Sequence, residues 1–177
     1  MQRSVWWRRI AVCSSALVCA ACTPALDWRE IRAQGTGVTF MLPCKPQVSA
    51  RSVQLAGQVV RMSLMACKAG SLTWALGFAD VAEPARLGVA LLALRESTVA
   101  NLQGQVVRSA PAAVRGATPH DGSVFLHLRG RLPDGALAQG RLAVFAHGTM
   151  VFQATVLGES VPDEAAETFF LSLRAGA

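Results

Sequence analysis

Three histidines, one of them beside an aspartate, are the side chains of this 177-residue sequence best suited to acid–base or metal chemistry. His120 and Asp121 are adjacent in a loop-like segment, where they form either an acid–base pair or a turn capped by Asp121. His127 and His147 stand far apart, and no His-x-His or His-Glu-x-x-His spacing is present. A Gly-x-Ser-x-Gly nucleophile elbow is also missing. The sequence therefore predicts no catalytic site, no metal site and no cofactor, and we expect the protein not to be an enzyme.

The first twenty-one residues have the layout of a secretory signal peptide. Arg3, Arg8 and Arg9 form a basic start, and residues 10–21 carry no charge. This apolar stretch is too short to span a bilayer, which requires about 20 residues. We therefore expect residues 1–21 to be removed during export.

The residues around the cleavage point resemble the lipobox of bacterial lipoproteins. Cys19, Ala20 and Ala21 precede Cys22, with Cys19 at the place where leucine is usual. The resemblance implies a lipid on Cys22 that anchors the chain to a membrane. Thr23 at the sorting position, instead of aspartate, implies delivery to the outer membrane, facing the periplasm. An ordinary signal-peptidase site near Ala21, which gives a periplasmic protein without an anchor, is the alternative.

Composition and charge exclude two other classes of protein. A hydrophobic share of 52% excludes a disordered chain, and the length fits one domain. Loss of residues 1–21 removes three arginines, which leaves 14 basic against 11 acidic residues and lowers the net charge from +6 to +3. The remaining arginines are scattered from Arg29 to Arg174 and form no basic cluster with aromatic stacking partners, so we expect no nucleic-acid binding.

Two cysteines remain when the signal and the lipid site are set aside. Cys13 and Cys19 lie in the signal and Cys22 carries the expected lipid, which leaves Cys44 and Cys67. Because disulfides persist outside the cytoplasm, we expect these two cysteines to bridge neighbouring strand ends. Two free, buried thiols are the alternative.

Hydrophobic periodicity predicts an α+β fold built on one antiparallel sheet. The predicted strands cover residues 38–42, 51–55, 58–67, 71–80, 106–114, 124–129, 138–146 and 149–157. A long helix of about twenty residues follows Pro84 and stops at Gly104, and a short helix starts near Pro162. Each helix has an apolar stripe, and we expect this stripe to pack against a face of the sheet.

The same pattern divides the chain into three parts. Residues 1–21 are the predicted lipoprotein signal peptide, and residues 22–36 are the expected anchor and linker. Trp28 and Ile31 are three residues apart, so we expect one helical turn of the linker to dock on the domain. Residues 37–177 are expected to form a single α/β sandwich domain.

Several segments together resemble a known family. These are the strand Gly-Val-Thr-Phe-Met-Leu-Pro-Cys-Lys-Pro, the hairpin at Ala56 and Gly57, the long helix, the strand at 140–142 and the C-terminal Ala-Glu-Thr-Phe-Phe-Leu-Ser-Leu-Arg. The combination is similar to the PsbP-like α/β sandwich of small bacterial lipoproteins, from about Gly37 to Arg174. The resemblance implies no catalytic residues, and it implies a binding or assembly role.

Two sets of residues are candidates for ligand contact. Arg129 and Arg131, with Arg141 across a hairpin, are either a small anion site or solvated surface arginines. Trp74 shares a predicted sheet face with Phe78, either in the core or in a ligand pocket.

Two functions follow from these features. The first is a non-catalytic envelope lipoprotein that binds a partner protein or supports an assembly. The second is a periplasmic carrier or sensor of a small apolar or anionic ligand, held in a cleft between the sheet and the long helix. A large cavity favours the second function, and a flat apolar patch favours the first.

Overall fold

The structure is a computed structural model that describes residues 26–132 and 134–176. The expected signal peptide and Cys22 lie outside the described residues, as does Pro133. Neither α-helix within these ranges is long and apolar enough to cross a lipid bilayer. The lipid anchor therefore stays a prediction.

Ten strands and two α-helices make up the described fold. In chain order the strands are β1 (Arg29–Ala33), β2 (Val38–Leu42), β3 (Gln47–Leu55), β4 (Gln58–Ala69), β5 (Leu72–Asp80), β6 (Gln105–Pro111), β7 (Val124–Arg131), β8 (Leu137–His147), β9 (Met150–Gly158) and β10 (Arg174–Ala175). The helices are α1 (Leu87–Asn101), which a 3-10 turn at Pro84–Arg86 precedes, and α2 (Asp163–Ser172). The predicted α+β class, the long helix and the short C-terminal helix are confirmed.

The strands form two antiparallel sheets, whereas the sequence predicted one. The smaller sheet has the order β1-β2-β10, and the larger sheet has the order β3-β4-β5-β9-β8-β7-β6. The prediction is wrong because β2 pairs with β1 and β10, while the next strand along the chain, β3, begins the other sheet. Hydrophobic alternation identifies strands but does not say which strands share a sheet.

The segment before β2 is a strand and not a helical turn. Ile31 pairs with Phe40, and β1 runs antiparallel to β2 over all five of its residues. Residues 29–33, which were expected within the linker, therefore belong to the smaller sheet. Trp28 does dock on the fold, but it does so next to the strand, with its ring edge-on to Trp74 at a centroid distance of 5.5 Å.

Helix α1 covers one face of the larger sheet. Its buried residues recur at a spacing of three and four, as the sequence predicts for one apolar stripe. These residues are Leu87, Ala90, Leu91, Leu94 and Thr98. The four apolar residues among them pack in one cluster with inward side chains of the sheet, including Leu126 of β7 and Leu142 of β8. Burial of this stripe holds α1 on the sheet.

The smaller sheet and α2 cover the opposite face. Phe169 of α2 is edge-on to Trp74 of β5, with ring centroids 5.7 Å apart, and edge-on to Phe40 of β2 at 6.2 Å. The Met41 N–H also donates to the Ser172 hydroxyl oxygen at 2.8 Å, which ties α2 to β2. One phenylalanine thus joins both sheets and the helix, and such ring pairs add about 0.5–1.5 kcal/mol each beyond area burial.

A disulfide joins the two sheets. Cys44 follows β2 of the smaller sheet, Cys67 lies in β4 of the larger sheet, and the two are 23 residues apart in sequence. The expected disulfide is therefore present, but it does not bridge neighbouring strands of one sheet. Its position means that the smaller sheet is held to the larger one by both the aromatic core and a covalent bond.

Replacing both cysteines with alanine, Cys44→Ala together with Cys67→Ala, is expected to lower the free energy of unfolding by about 3 kcal/mol, because the unfolded chain gains loop entropy. Urea unfolding measures this loss, and amide exchange should rise most in β1, β2 and β10. The control is Val48→Ala on the exposed edge strand β3. An unchanged unfolding free energy, or a rise in exchange spread evenly over the fold, contradicts the assignment of the disulfide as the clamp between sheets.

Candidate functional site

Helix α2 covers only part of the face of the larger sheet on which it packs, and a groove lies over the part that stays uncovered. The groove has a volume of about 540 Å³ and lies between α2 and strands β6, β7 and β8. Residues 110–114, which leave the end of β6, form its outer wall. This volume lies within the range of roughly 300–1,000 Å³ that is typical of small-ligand sites.

Three basic side chains form a row across the floor of the groove. His127 of β7 stands opposite Arg108 of β6 on one side and opposite Arg141 of β8 on the other. Residues directly opposite in antiparallel strands have Cβ atoms about 4.5–5.5 Å apart, so neighbouring members of the row are close. The row therefore gathers three basic groups on one part of the floor, with the imidazole between the two arginines.

A β-bulge brings Arg108 into the row. Val106 pairs with Leu128 and Arg108 pairs with His127, so Val107 is an extra residue in β6. In an unbroken ladder Val107 would stand opposite His127, and Arg108 would turn to the α1 face. Bulges re-aim side chains in this manner and are common next to functional sites.

One acidic residue pairs with the row. An N–H of Arg141 donates to the Asp163 carboxylate at 3.0 Å, and the Arg141 side chain is only 12% exposed while that of Asp163 is 77% exposed. The hydrogen bond from Arg141, followed by its charge, lowers the pKa of Asp163. Glu167 lies one helical turn further along α2 and also lines the groove, but it makes no ion pair among the described residues.

His127 is held in its neutral form. Burial lowers the pKa of His127 most, and the charges of Arg141 and then Arg108 lower it further, against a smaller opposing effect of Asp163. The Phe125 ring stands edge-on to the imidazole with centroids 5.3 Å apart. These surroundings disfavour the protonated imidazole.

The rest of the floor is apolar. Phe125 and Phe170 pack edge-on with ring centroids 4.8 Å apart, and Ala143 and Ala166 line the groove beside them. Leu171 stands at the rim with 78% of its surface exposed. The groove thus has a basic row at one part of its floor and an aromatic surface at the next.

Main-chain hydrogen bonds fix the outer wall in place. The Ala112 N–H donates to the Ser123 carbonyl at 3.0 Å, and Arg115 accepts from the Ala175 N–H at 2.8 Å. Gly116 then passes β10 so closely, with φ of +74°, that a Cβ there would collide with the Ala175 carbonyl oxygen. The wall is therefore held between β7 and the C-terminal strand.

The structure separates the residues that the sequence grouped as one candidate anion site. Arg141 lines the groove. Arg129 and Arg131 lie on the same face of β7 as His127 but further along the strand, where they are exposed and outside the groove. Arg131 donates instead to the Gly135 carbonyl at 2.8 Å. Trp74 is fully buried among core aromatics and does not line the groove, so it is a core residue.

Sequence reasoning missed most of the groove. Arg108, His127, Asp163, Phe125 and Phe170 all line it, and none of them was proposed as a ligand contact. The alternation of Phe125 and His127 along β7 was a signal that both side chains share one sheet face. The contribution of Arg108 could not be seen, because it depends on the bulge.

A second cavity, of about 560 Å³, lies on the other side of the wall and contains the predicted histidine–aspartate pair. The His120 Nδ1 accepts the Gly122 N–H at 2.9 Å, so the histidine itself caps this turn, a role expected of Asp121 in one of the two sequence-based alternatives. Within residues 26–132 and 134–176, no three or more histidine, cysteine or acidic side chains cluster in a way that holds a metal ion.

The lowered pKa of His127 predicts a pH dependence of stability. The unfolded imidazole takes up a proton near 6.5 and the folded one resists protonation, so stability falls as the pH drops below about 6.5. His127→Gln should make the melting temperature less dependent on pH as the pH falls below about 6.5, with little change above. His147→Gln is the control. An equal slope for wild type and His127→Gln contradicts the burial of a neutral imidazole.

Gly116→Ala is expected to lower the free energy of unfolding by at least about 3 kcal/mol, because the added methyl group meets the main chain of β10. Gly57→Ala is the matched control, since Gly57 also has a positive φ, of 76°, but faces open space. The control should cost only about 1 kcal/mol. Equal losses in urea unfolding would show that contact with β10 does not fix the groove wall.

Comparison with known proteins does not indicate a function, so the function must be inferred from the groove. No protein-family model matches the chain, and no curated protein matches it. The similarity to the PsbP-like sandwich therefore stays a prediction.

Proposed function

We propose that this protein is a non-catalytic lipoprotein of the bacterial envelope and that the groove beside α2 is its binding site. In this proposal a lipid on Cys22 holds the chain at the outer membrane, and the folded domain faces the periplasm. The groove then presents its basic row and its aromatic floor to a ligand. The role of the protein is to hold that ligand and not to convert it.

The observation that carries the proposal is that a row of basic side chains and an aromatic surface lie next to each other in one groove. Arg141 is almost buried, while Phe125 and Phe170 form the floor beside it. The two rings pack against the core but are only partly buried, so part of each stays open to the groove beside the arginines. A bound ligand would cover the rings and neutralise the row at the same time.

The disulfide supports the extracytoplasmic location. Cys44 and Cys67 are bonded, and such structural disulfides persist in the periplasm and are rare in the reducing cytoplasm. The basic start and apolar stretch of residues 1–21 support export independently.

A partner protein is the second candidate ligand, and the open edge of β3 favours it. This strand pairs with β4 over nine residues without a bulge, and Gln47 to Ser52 are exposed. The opposite edge strand, β6, has a bulge and ends in Pro111, which are features that block strand pairing. An extended segment of a partner could therefore add to the sheet at β3.

Photo-crosslinking in intact cells tests the proposal. A photo-reactive phenylalanine analogue replaces Leu171 at the groove rim in one chain and Val89 on the exposed side of α1 in the control chain. The two positions are 78% and 59% exposed, so both are accessible. We expect specific adducts from position 171 only. In the Cys22→Ser chain, the protein and its adducts should leave the membrane fraction.

Equal adducts from the two positions, or none from either, would contradict binding at the groove. A third chain with the analogue at Val48 tests the β3 edge. Adducts with a single protein from position 48, together with none from position 171, would favour the second candidate. A Cys22→Ser chain that stays with the membrane would contradict the lipid anchor but not the binding site.

A further inference from the structure

Given the binding function proposed for the groove, we propose that its ligand is an anion that carries a single apolar chain. The carboxylate or phosphate of the ligand displaces Asp163 from Arg141, and the apolar chain covers the aromatic floor. A long-chain carboxylate and an alkyl phosphate share this chemistry.

The charges of the groove select an anion. Arg108 makes no ion pair among the described residues, and Arg141 has one carboxylate within reach. His127 lies between the two guanidinium groups, and both of them lower its pKa, so the local field at the imidazole is positive. An anion placed over the row would interact favourably with both arginines and would favour the protonated imidazole.

Asp163 occupies the place that the ligand anion would take. Its carboxylate is mostly exposed and reaches Arg141 through one N–H, at 3.0 Å. Because Asp163 is on the water side of this pair, its carboxylate can be exchanged for that of a ligand without burying a new charge of the protein. A guanidinium group has five N–H donors in a planar fork, which lets Arg141 bind a second carboxylate or phosphate in a bidentate manner.

The floor selects the apolar chain. Phe125, Phe170 and Leu171 follow the basic row along the groove, and Ala143 and Ala166 keep the floor free of long side chains. A ligand with an anionic head alone would leave these rings uncovered. A neutral apolar ligand would leave the row without a counter-charge. Only a molecule with both parts satisfies the whole groove.

Titration calorimetry with sodium dodecanoate, below the concentration at which it forms micelles, tests the proposal. The protein is the full chain with Cys22→Ser, which keeps every described residue. We expect saturable binding of one dodecanoate. Butyrate, which has no long chain, and dodecanol, which has no charge, should each bind at least about tenfold more weakly, because each lacks one of the two contacts.

Two pairs of variants locate the anion. Arg141→Gln should weaken dodecanoate binding at least about tenfold, while Arg129→Gln, on the neighbouring strand and the same sheet face but outside the groove, should leave it unchanged. Asp163→Asn should strengthen binding several-fold more than Glu167→Gln does. Both of these changes remove one negative charge from α2, so a difference between them reports the freed guanidinium and not the general field.

The two acidic variants, Asp163→Asn and Glu167→Gln, keep the proposal testable even if an arginine variant does not fold. If Arg141→Gln does not fold, as shown by its melting curve, the comparison of Asp163→Asn with Glu167→Gln still decides the outcome, since both residues are exposed. Equal effects of the two acidic variants, or equal binding of dodecanoate and dodecanol, would overturn the proposal.

Vesicles distinguish the free molecule from a lipid headgroup. The groove is expected to take dissolved dodecanoate or dodecyl phosphate, and vesicles of phosphatidylglycerol should compete for no more than a small part of this binding. Binding to the vesicles without binding of dissolved amphiphile would overturn the proposal. If specific photo-adducts form at position 171 in cells but dodecanoate does not bind in calorimetry, only the ligand class is refuted. If neither the adducts nor dodecanoate binding is observed, the proposed function is refuted as well.

Discussion

The central strands of the seven-stranded sheet, β5, β9 and β8, are apolar on both faces, and this is the constraint on which the rest of the structure depends. Each face must be covered, because uncovered apolar side chains lose the free energy of burial. Helix α1 covers one face with a stripe that includes Leu91 and Leu94. The other face needs two covers, the three-stranded sheet and the ten-residue helix α2. Phe169 and the disulfide of Cys44 and Cys67 join these covers to the large sheet. The groove runs along one side of α2, where the sheet extends beyond the helix.

The uncovered part of the sheet determines the chemistry of the site. Side chains there are half in water, so basic groups such as Arg108 and His127 can lie beside aromatic groups such as Phe125 without being fully desolvated. Asp163 at the first turn of α2 neutralises part of the row through Arg141. The groove therefore combines a charge that an incoming anion can replace with a surface that an apolar chain can cover. The floor of the groove is the edge of the core, since Phe125 and Phe170 pack against the buried cluster that contains Phe169.

The sequence predicts the elements of this fold well and their arrangement less well. The alternation at residues 72–80 and the stripe of α1 give clear periods, because one face of each is buried. β1 was missed, since a strand in which charged residues flank Ile31 resembles a polar linker. The division into two sheets was missed because pairing is decided by packing over long sequence distances. Of the site, Arg141 was proposed from its type and position. Arg108 was not, because its place opposite His127 depends on one extra residue, Val107, in β6.

The position of the apolar chain in the groove is the most direct test of this account. Crystals grown with dodecanoate brominated at its terminal carbon would locate the end of the chain by the anomalous signal of bromine. The account predicts a bromine peak against Phe125 or Phe170, with the carboxylate within hydrogen-bonding distance of Arg141 and the Asp163 carboxylate moved away from it. A peak on the exposed side of α1, or a carboxylate bound only at Arg129 and Arg131, would contradict it.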